Sequence, residues 1–356
     1  GSGKVAMRRK DFGFWKEYTW KDYYEEVKQF CLGMVDMGLE PKCKVSIVGD
    51  NDPEWYWAEI GILSAGAQVV GLFSDAIPSE MKYILEHSDT KFVVAQDQEQ
   101  VDKILRLIEE SSQLKEAIKK IIYWDPKGLA VYDEPRLLSF TQVLEAGKKY
   151  EQAHPGYFEK LIEQTKAEDE ALLCYTSGTK ALPKGAIIPH KALIFSAKQW
   201  ARIFHLEEKT NLLSYVSPAW IGEQAVSVAE QLFSGLTLNF GEKPETHQHD
   251  IREIGPNFVF YNSRLWESLV STIQVKIGDA GFLKRITYQL FLPVGHKKAD
   301  LYFAGKGMNL FWKLLYGIGY LVLFRPLTDK FGLCKTISCL TGGAPLSPSA
   351  FRFLNG

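Results

Sequence analysis

The chain has 356 residues, of which 46% are hydrophobic and 24% are charged. This composition can form one large core or two ordinary ones, and it excludes extensive disorder. The 42 basic and 43 acidic residues nearly cancel. The sequence therefore lacks the broad positive field of nucleic-acid-binding proteins, and we expect no nucleic-acid partner.

Cysteine usage and the N-terminus indicate the compartment. The five cysteines form no C-x-x-C pair, which suits reduced thiols better than a disulfide framework. The opening GSGK resembles a tag remnant, and no signal-peptide pattern follows it. We therefore expect a cytoplasmic protein, with a peripheral position on the inner face of a membrane as the alternative.

From residue 44 onward, short β-branched runs alternate with helical patterns, which is typical of a parallel sheet covered by helices. KVSIV (44–48) predicts a strand, and Asp52 as N-cap with Pro53 at the first helical position predicts the next helix. Gly66 is expected to end that helix with a left-handed backbone. The predicted buried face of the helix consists of Trp55, Ala58, Ile62 and Ala65.

Further strands are predicted along the rest of the chain. In the first half they lie at 68–73, 91–95, 120–124, 171–175 and 186–190. In the second half they lie within 211–217, 236–240, 257–261 and 336–343. Residues 125–168 contain no convincing strand and are interpreted as a surface connection with helical pieces. The pattern as a whole predicts an α/β protein.

One strongly apolar stretch, residues 308–324, raises the question of a membrane span. Lys313 and Arg325 leave only residues 314–324 uninterrupted, about half of the ~20 residues that a spanning helix needs. We therefore expect that it does not span. A core helix softened by Gly317 and Gly319 is the favoured interpretation, and a helix lying in a membrane surface is the alternative.

The stretch YTSGTKALPKG (175–185) follows a predicted strand and concentrates glycine, hydroxyl and lysine residues. Such a loop offers backbone N–H and hydroxyl donors to anionic oxygens, and a lysine adds charge. It is not a Walker A loop, because Pro183 stands where that motif requires glycine. Composition alone leaves a phosphate-binding loop and an ordinary polar hairpin both open.

The order of the residues in this stretch is more specific than their composition. Together with His190, it resembles the nucleotide-binding signature Y-T-S-G-T-T-G-x-P-K-G of the adenylate-forming enzymes, a family that includes acyl-CoA synthetases, luciferases and peptide-synthetase adenylation domains; nine of eleven positions agree. From about residue 17 onward, other stretches resemble successive segments of long-chain acyl-CoA synthetases. These are DNDPEWYWAEIGILSAGAQVVGL, SYVSPAWIGEQ, YNSRLWESL and LTGGAPLSP.

The resemblance implies the N-terminal portion of the adenylate-forming fold, with two α/β subdomains whose mostly parallel sheets are covered by helices. Residues 42–205 would form the first subdomain with the phosphate-binding loop. Residues 1–41 and 206–356 would form the second, with the acyl and adenine sites. Relatives continue into a small C-terminal domain that this sequence does not contain, so we expect a fragment with little or no turnover.

The implied reaction is the AMP-forming activation of a long-chain or similar apolar carboxylic acid by ATP, first to an acyl-adenylate and then to an acyl-CoA. Its requirements would be ATP, Mg²⁺ and coenzyme A, and its partners small molecules. Two alternatives stay open: a non-catalytic nucleotide- or acyl-binding protein, and a ligase that passes the acyl group to a carrier protein.

The resemblance also assigns roles to residues. The phosphate-binding set is Thr176, Ser177, Gly178, Thr179, Lys184 and Gly185, with Thr176 and Lys184 as the catalytic pair. The adenine would lie against Gly343, Ala344 and Pro345. Trp220 and Gly222 would line the acyl pocket, although a plain core role for Trp220 is equally open. No residue is assigned to a metal.

Two positions depart from the signature, and two stretches contain histidines that could have a functional role. Lys180 and Ala181 replace the Thr-Gly of the signature, and alanine strains the loop by about 1 kcal/mol if that position needs a positive φ. His190 fits either an active-site role or a capping and packing role. In ETHQHD (245–250) we favour a solvated helix start over a metal site.

Overall fold

The computed structural model describes residues 3–176 and 182–356. The chain forms two compact units, one of Gly1–Lys209 with Ser217–Phe240 and the other of Thr210–Val216 with Gly241–Gly356. Strands and helices are mixed throughout, and the sheets are mainly parallel, which confirms the predicted α/β class. The subdomain boundaries expected at residues 42–205 stay a prediction.

The elements are numbered in chain order. The strands are β1 Val5–Asp11, β2 Phe14–Thr19, β3 Lys44–Val48, β4 Gln68–Leu72, β5 Thr90–Ala95, β6 Lys120–Tyr123, β7 Leu137–Ser139, β8 Glu170–Thr176, β9 Lys184–Pro189, β10 Asn211–Ser214, β11 Thr237–Phe240, β12 Phe258–Asn262 and β13 Ser338–Gly342.

The α-helices are α1 Trp20–Asp36, α2 Pro53–Ser64, α3 Pro78–Ser88, α4 Gln98–Glu110, α5 Ser112–Ala117, α6 Phe140–Ala153, α7 Tyr157–Gln164, α8 His190–Phe204, α9 Ile221–Glu223, α10 Glu230–Ser234, α11 His247–Ile254, α12 Ser263–Gly278, α13 Phe282–Phe303, α14 Leu310–Gly319, α15 Arg325–Lys330 and α16 Pro348–Asn355. Two π-helical segments, Gln224–Ala229 and Tyr320–Phe324, join neighbouring helices, and a 3₁₀ turn covers Pro244–Thr246.

The first unit is built on a seven-stranded sheet with the order β7-β6-β5-β3-β4-β8-β9. All neighbours are parallel except β8 and β9, which are antiparallel. In the same unit β1 pairs with β11 in parallel and with β2 in antiparallel. In the second unit β12 pairs in parallel with β10 and with β13.

Helix α2 follows the sequence prediction closely. Asp52 is the N-cap and Pro53 opens the helix. All four residues of the predicted face are buried, and Gly66 has the expected positive φ of 71°. The Asp52 side chain does not cap the helix. It pairs instead with Arg9 at 2.9 Å, so the local pattern identified the position but not the contact.

Residues 125–168 differ from the prediction in one respect. The helical pieces are present as α6 and α7, but β7 adds an edge strand that pairs in parallel with β6. With three residues of intermediate burial, β7 is too short to show a periodicity that sequence reasoning could detect.

Helices α1 and α6 approach each other closely because each has a glycine at the contact. A Cβ placed on Gly33 would lie 2.1 Å from the carbonyl oxygen of Val143. A Cβ on Gly147 would lie 1.8 Å from the carbonyl oxygen of Gln29. No other residue type can occupy either position without separating the two helices.

The apolar stretch of the second unit is not the core helix that we favoured. Leu310–Lys330 is long and apolar enough to be a candidate membrane span. Yet only 11% of an 18-residue apolar stretch within it is buried. Within α14, Gly319 is the buried residue. The expectation was wrong because apolar composition indicates a preference for burial without stating which surface provides it.

Candidate functional site

The phosphate-binding loop predicted from sequence connects β8 and β9. The antiparallel register places Thr176 opposite Lys184 and Tyr175 opposite Gly185. The structure thus brings Thr176, Lys184 and Gly185 together, with Thr176 and Lys184 exposed to solvent. The other members of the predicted set, Ser177, Gly178 and Thr179, lie outside the described residues, as do Lys180 and Ala181.

The start of this loop is anchored by an aromatic cluster that the sequence did not reveal. The Tyr175 hydroxyl lies 2.7 Å from His87 Nδ1 on α3. Tyr83, one turn earlier on α3, stacks on His87 and meets the Tyr175 ring edge-on. Burial, with a smaller contribution from Tyr83, raises the pKa of Tyr175 to about 12. Tyr175 therefore stays a neutral anchor next to Thr176.

Gly185 allows the two strands of the hairpin to pack at the loop. A Cβ at this position would lie 2.9 Å from Leu173 Cδ1 and 3.3 Å from Tyr175 Cζ. A side chain at this position would press first on the Leu173 methyl group and then on the Tyr175 ring. The glycine of the signature thus has a packing reason in addition to its predicted contact with phosphate.

Trp220 and Gly222, the predicted acyl-pocket residues, contact each other. Trp220 is partly buried and is the N-cap residue of α9. A Cβ on Gly222 would lie 2.6 Å from Trp220 Cζ3, so the indole lies directly over the glycine. The preceding residue, Ala219, contacts β4 at Gly71, where an added Cβ would lie 2.8 Å from Ala219 Cα. The segment thus contacts a glycine at two places, Ala219 at Gly71 and Trp220 at Gly222.

A buried polar network lies directly after this segment, and sequence reasoning missed it. Glu59 on α2 is fully buried, and its Oε2 accepts hydrogen bonds from Gln224 Nε2 at 2.9 Å and from Trp55 Nε1 at 3.0 Å. Glu223 Oε1 accepts from Ser227 Oγ at 2.6 Å and from Tyr56 OH at 3.2 Å. Burial raises the pKa of Glu59 to about 7. A glutamate two residues after Trp57, within a mainly apolar helix, was the available signal.

An apolar cavity of about 370 Å³ opens beside Glu59 in the first unit. Its walls come from α2, α7, α8 and the helical segment that follows Trp220. The apolar lining residues are Ile60, Leu63, Ile162, Leu193, Ile194, Val228, Ala229, Leu232 and Phe233. His190 also lines the cavity, and burial lowers its pKa. A cavity of this size and lining is suited to an aliphatic chain.

The predicted adenine residues lie in the second unit. Gly343, Ala344 and Pro345 directly follow β13 and are exposed. Gly343 has a φ of 85°, a backbone conformation that strongly favours glycine. The turn leads into α16, whose N-cap Ser347 accepts a hydrogen bond from the N–H of Ala350.

The stretch 245–250 starts a helix as expected, and Glu245 and His249 are exposed, but His247 is half-buried and Asp250 is buried. His247 stacks on Tyr215 with ring centroids 3.6 Å apart and is hydrogen-bonded to the Tyr261 hydroxyl. Burial lowers its pKa to about 4. Asp250 is fully buried and accepts from the hydroxyl of Thr246 at 2.7 Å. The prediction of a solvated start is wrong for His247 and Asp250, and the packing partners of His247 come from distant strands and loops.

His249, Asp250 and Glu253 bring their ligand atoms within 4.8 Å of one another on α11. His249 and Glu253 are exposed, and His249 Nδ1 lies 3.2 Å from Glu253 Oε1. An i, i+4 contact of this kind is an ordinary feature of helix surfaces. His247 packs against Tyr215 instead, so the two histidines of this stretch do not converge on one site.

Comparison with known proteins gives a match along nearly the whole chain. A family model described as AMP-binding enzyme matches residues 2–356. Similar curated proteins include the long-chain-fatty-acid–CoA ligase ACSBG2 of Xenopus laevis, 24% identical over 98% of this chain and 46% of its own length. The long-chain-fatty-acid–CoA ligase heimdall of Drosophila melanogaster is 25% identical over 96% of this chain and 50% of its own length.

Similar solved structures show the same fold. The anthranilate CoA ligase AuaEII in complex with anthranoyl-AMP aligns with a TM-score of 0.63 and 19% identity, over 75% of this chain and 48% of its own. The luciferase-like enzyme of the Zophobas morio mealworm aligns with a TM-score of 0.64 and 14% identity, over 98% and 65%. The chain spans about half the length of the curated relatives that it matches.

Proposed function

Because the chain belongs to the AMP-binding enzyme family, we propose that it provides the nucleotide- and acid-binding part of a ligase that activates a long-chain or similar apolar carboxylic acid. ATP and the acid would form an acyl-adenylate and pyrophosphate. The thiol of coenzyme A would then displace AMP and form the acyl-CoA. Long-chain-fatty-acid–CoA ligases among its relatives support this choice of substrate.

The observation that carries the proposal is the pairing of Thr176 with Lys184 at the loop end of the β8–β9 hairpin. Negative charge develops on the leaving pyrophosphate during adenylation. An ammonium group and a hydroxyl fixed at one place stabilise such charge without reorganisation, and losing one such group typically costs about 3 kcal/mol. In this proposal Lys184 binds the phosphates, and Thr176 donates its hydroxyl to a phosphate oxygen.

The remaining loop and adenine assignments extend the same proposal. Ser177, Gly178, Thr179 and Gly185 contribute donors and close approach to the phosphates. The exposed turn at 343–345 receives the adenine. Mg²⁺ prefers oxygen ligands and keeps several waters, so we propose that it enters on the ATP phosphates, with the Thr176 hydroxyl as an available protein oxygen.

The acid is proposed to lie with its aliphatic chain in the 370 Å³ cavity. The segment that begins at Trp220 and Gly222 continues into the residues that line this cavity, among them Val228 and Leu232. Burial of methylene groups in such a cavity contributes about 0.8 kcal/mol each, so the proposed site would favour long acyl chains.

Substitution of Lys184 tests the nucleotide half of the proposal. Lys184→Met is expected to lower acid-dependent exchange between ATP and pyrophosphate by about a hundredfold. The matched control is Lys198→Met, which removes another exposed lysine from α8 and should leave exchange unchanged. If the chain does not turn over, calorimetric titration with ATP gives the same comparison. Equal loss in both variants, or no ATP binding by the unaltered chain, would contradict the proposal.

A series of non-hydrolysable acyl-adenylate mimics tests the acid half. Affinity is expected to rise with acyl length until the cavity is filled. Ala229→Phe, which narrows the cavity, should shorten the optimum while leaving the affinity for ATP unchanged. An affinity that does not depend on acyl length would mean that the acyl chain does not lie in this cavity.

A further inference from the structure

Leu310–Lys330 presents an exposed apolar stripe in the second unit. The stripe consists of Leu310, Phe311, Leu314, Ile318, Leu321 and Val322, each between 51% and 73% exposed. Their spacings of mostly three and four residues place them on one face of the helix. Soluble proteins rarely expose a continuous apolar face of this kind without a partner.

The opposite face of this helix is already occupied by α13. Phe291 and Val294 of α13 form a small core with Leu323. Lys298 Nζ of α13 donates a hydrogen bond to the Tyr316 hydroxyl at 2.9 Å. We call residues 282–330 the α13–α15 hairpin. The contacts of α13 lie on the opposite face of the helix, so the hairpin itself does not cover the stripe.

The hairpin is strongly basic, although the whole chain is nearly neutral. It contains eight basic residues, namely Lys284, Arg285, Lys297, Lys298, Lys306, Lys313, Arg325 and Lys330. It contains two acidic residues, and both are paired: Asp300 with Arg352 and Asp329 with Arg252 at 2.9 Å. The partner of this surface should therefore be apolar and anionic at once, as a bilayer with acidic headgroups is.

A cleft of about 260 Å³ joins the stripe at Val322. Apolar side chains of α12, α13 and α15 line it, including Ile273, Leu283 and Leu327. Lys276, Lys284 and Lys330 also line it. An apolar cleft that carries lysines fits a lipid whose acyl chain enters the cleft while its phosphate stays at the surface.

We propose that the α13–α15 hairpin docks on an anionic lipid bilayer, with the stripe in the interfacial layer and the lysines of the cleft on lipid phosphates. The helix lies on the membrane and does not cross it. A crossing would carry the charged residues of α13, packed alongside, into the hydrocarbon, at a cost that a helix lying flat avoids. The proposal is independent of the reaction proposed above.

Co-sedimentation with vesicles tests the proposal. Vesicles of phosphatidylcholine with about a third phosphatidylserine should bind the chain, and pure phosphatidylcholine vesicles should bind it far less. Raising the salt to about 1 M, where the Debye length is about 3 Å, should release most of the bound protein. Retention in salt and at alkaline pH, as for a spanning helix, would overturn the proposal.

Matched variants separate the apolar contribution of the stripe from the electrostatic contribution of the lysines. Leu314→Gln with Ile318→Gln and Leu321→Gln should abolish binding to both kinds of vesicle. The control, Phe12→Gln with Phe14→Gln, removes residues that are 85% and 79% exposed on the β1–β2 turn and should bind as before. Lys276→Gln with Lys284→Gln and Lys330→Gln should lower binding to the anionic vesicles by about fivefold for each lysine and leave binding to neutral vesicles unchanged.

The outcomes distinguish other occupants of the stripe. Near-ultraviolet circular dichroism of each variant reports whether its fold is retained. A dimer in light scattering that the stripe variant dissociates, without vesicle binding by the unaltered chain, would assign the stripe to a second copy and overturn the proposal. Equal loss of vesicle binding in the stripe variant and the Phe12 and Phe14 control would overturn it as well.

Discussion

Helix α2 and the helix Leu310–Lys330 are both rich in apolar residues, yet they have opposite environments. In α2, nine of twelve residues are buried, among them two tryptophans. In α14, Gly319 is the buried residue, and large apolar side chains face solvent. The sheet of the first unit and its helices surround α2. The helix Leu310–Lys330 instead has α13 on one side. Apolar composition alone does not distinguish a core helix from a docking surface.

The largest effect that would sharpen this comparison comes from the same substitution in both helices. Ile62→Ala in α2 removes a fully buried side chain and is expected to lower the free energy of unfolding by about 2–5 kcal/mol. Ile318→Ala removes a side chain that is 55% exposed and should change it by less than about 0.5 kcal/mol. Urea denaturation measures both. Similar losses at the two sites would mean that the stripe is buried in solution.

A second effect uses the buried carboxyl of α2. Burial raises the pKa of Glu59 from 4.5 to about 7, so the folded state retains a proton that the unfolded chain releases between these values. Stability should therefore fall as the pH rises through this window, by about 3 kcal/mol at most. Glu59→Gln keeps an acceptor oxygen for Gln224 and Trp55 and should remove this part of the pH dependence.

Denaturation at pH 5 and at pH 8 measures this difference, with the exposed Glu109→Gln as the control. The relative gain in stability of Glu59→Gln at pH 8 should be absent from the control. An identical pH profile for Glu59→Gln and the unaltered chain would show that Glu59 is solvated in the folded state.

The smallest expected effect is a change in stability that has opposite signs at two helical glycines. Gly147→Ala places a Cβ against the carbonyl oxygen of Gln29 and should destabilise the α1–α6 contact by about 1–3 kcal/mol. Gly317→Ala in α14 meets no atom within 4 Å and should stabilise the protein by up to about 1 kcal/mol. Thermal unfolding shows both directions. Destabilisation by Gly317→Ala would indicate that a neighbour covers that side of α14.

Much of the fold was predictable because its signals are local. The β-branched runs, Asp52 before Pro53, and Gly66 after the apolar face identified β3, α2 and the end of the helix. The strand-loop-strand order around 175–185 was likewise predicted and is present as β8 and β9. β7 was missed, since three residues carry too little pattern.

The candidate site was predictable in part. The signature identified Thr176 and Lys184, and the strand register places them opposite each other. Their roles and those of Trp220 and Gly343 stay predictions. The Tyr83, His87 and Tyr175 cluster could not be inferred, because its members come from segments about ninety residues apart that only the sheet brings together.

The sequence by itself determined the class of fold, the positions of most strands and helices, and the loop motif that indicates the family, since these depend on residues close together in the chain. Tertiary structure alone decided which apolar helix is buried, why Glu59 keeps a raised pKa, and where His247 is directed. Burial and electrostatic environment are properties of packed neighbours, and neighbours distant in sequence are brought together only by folding.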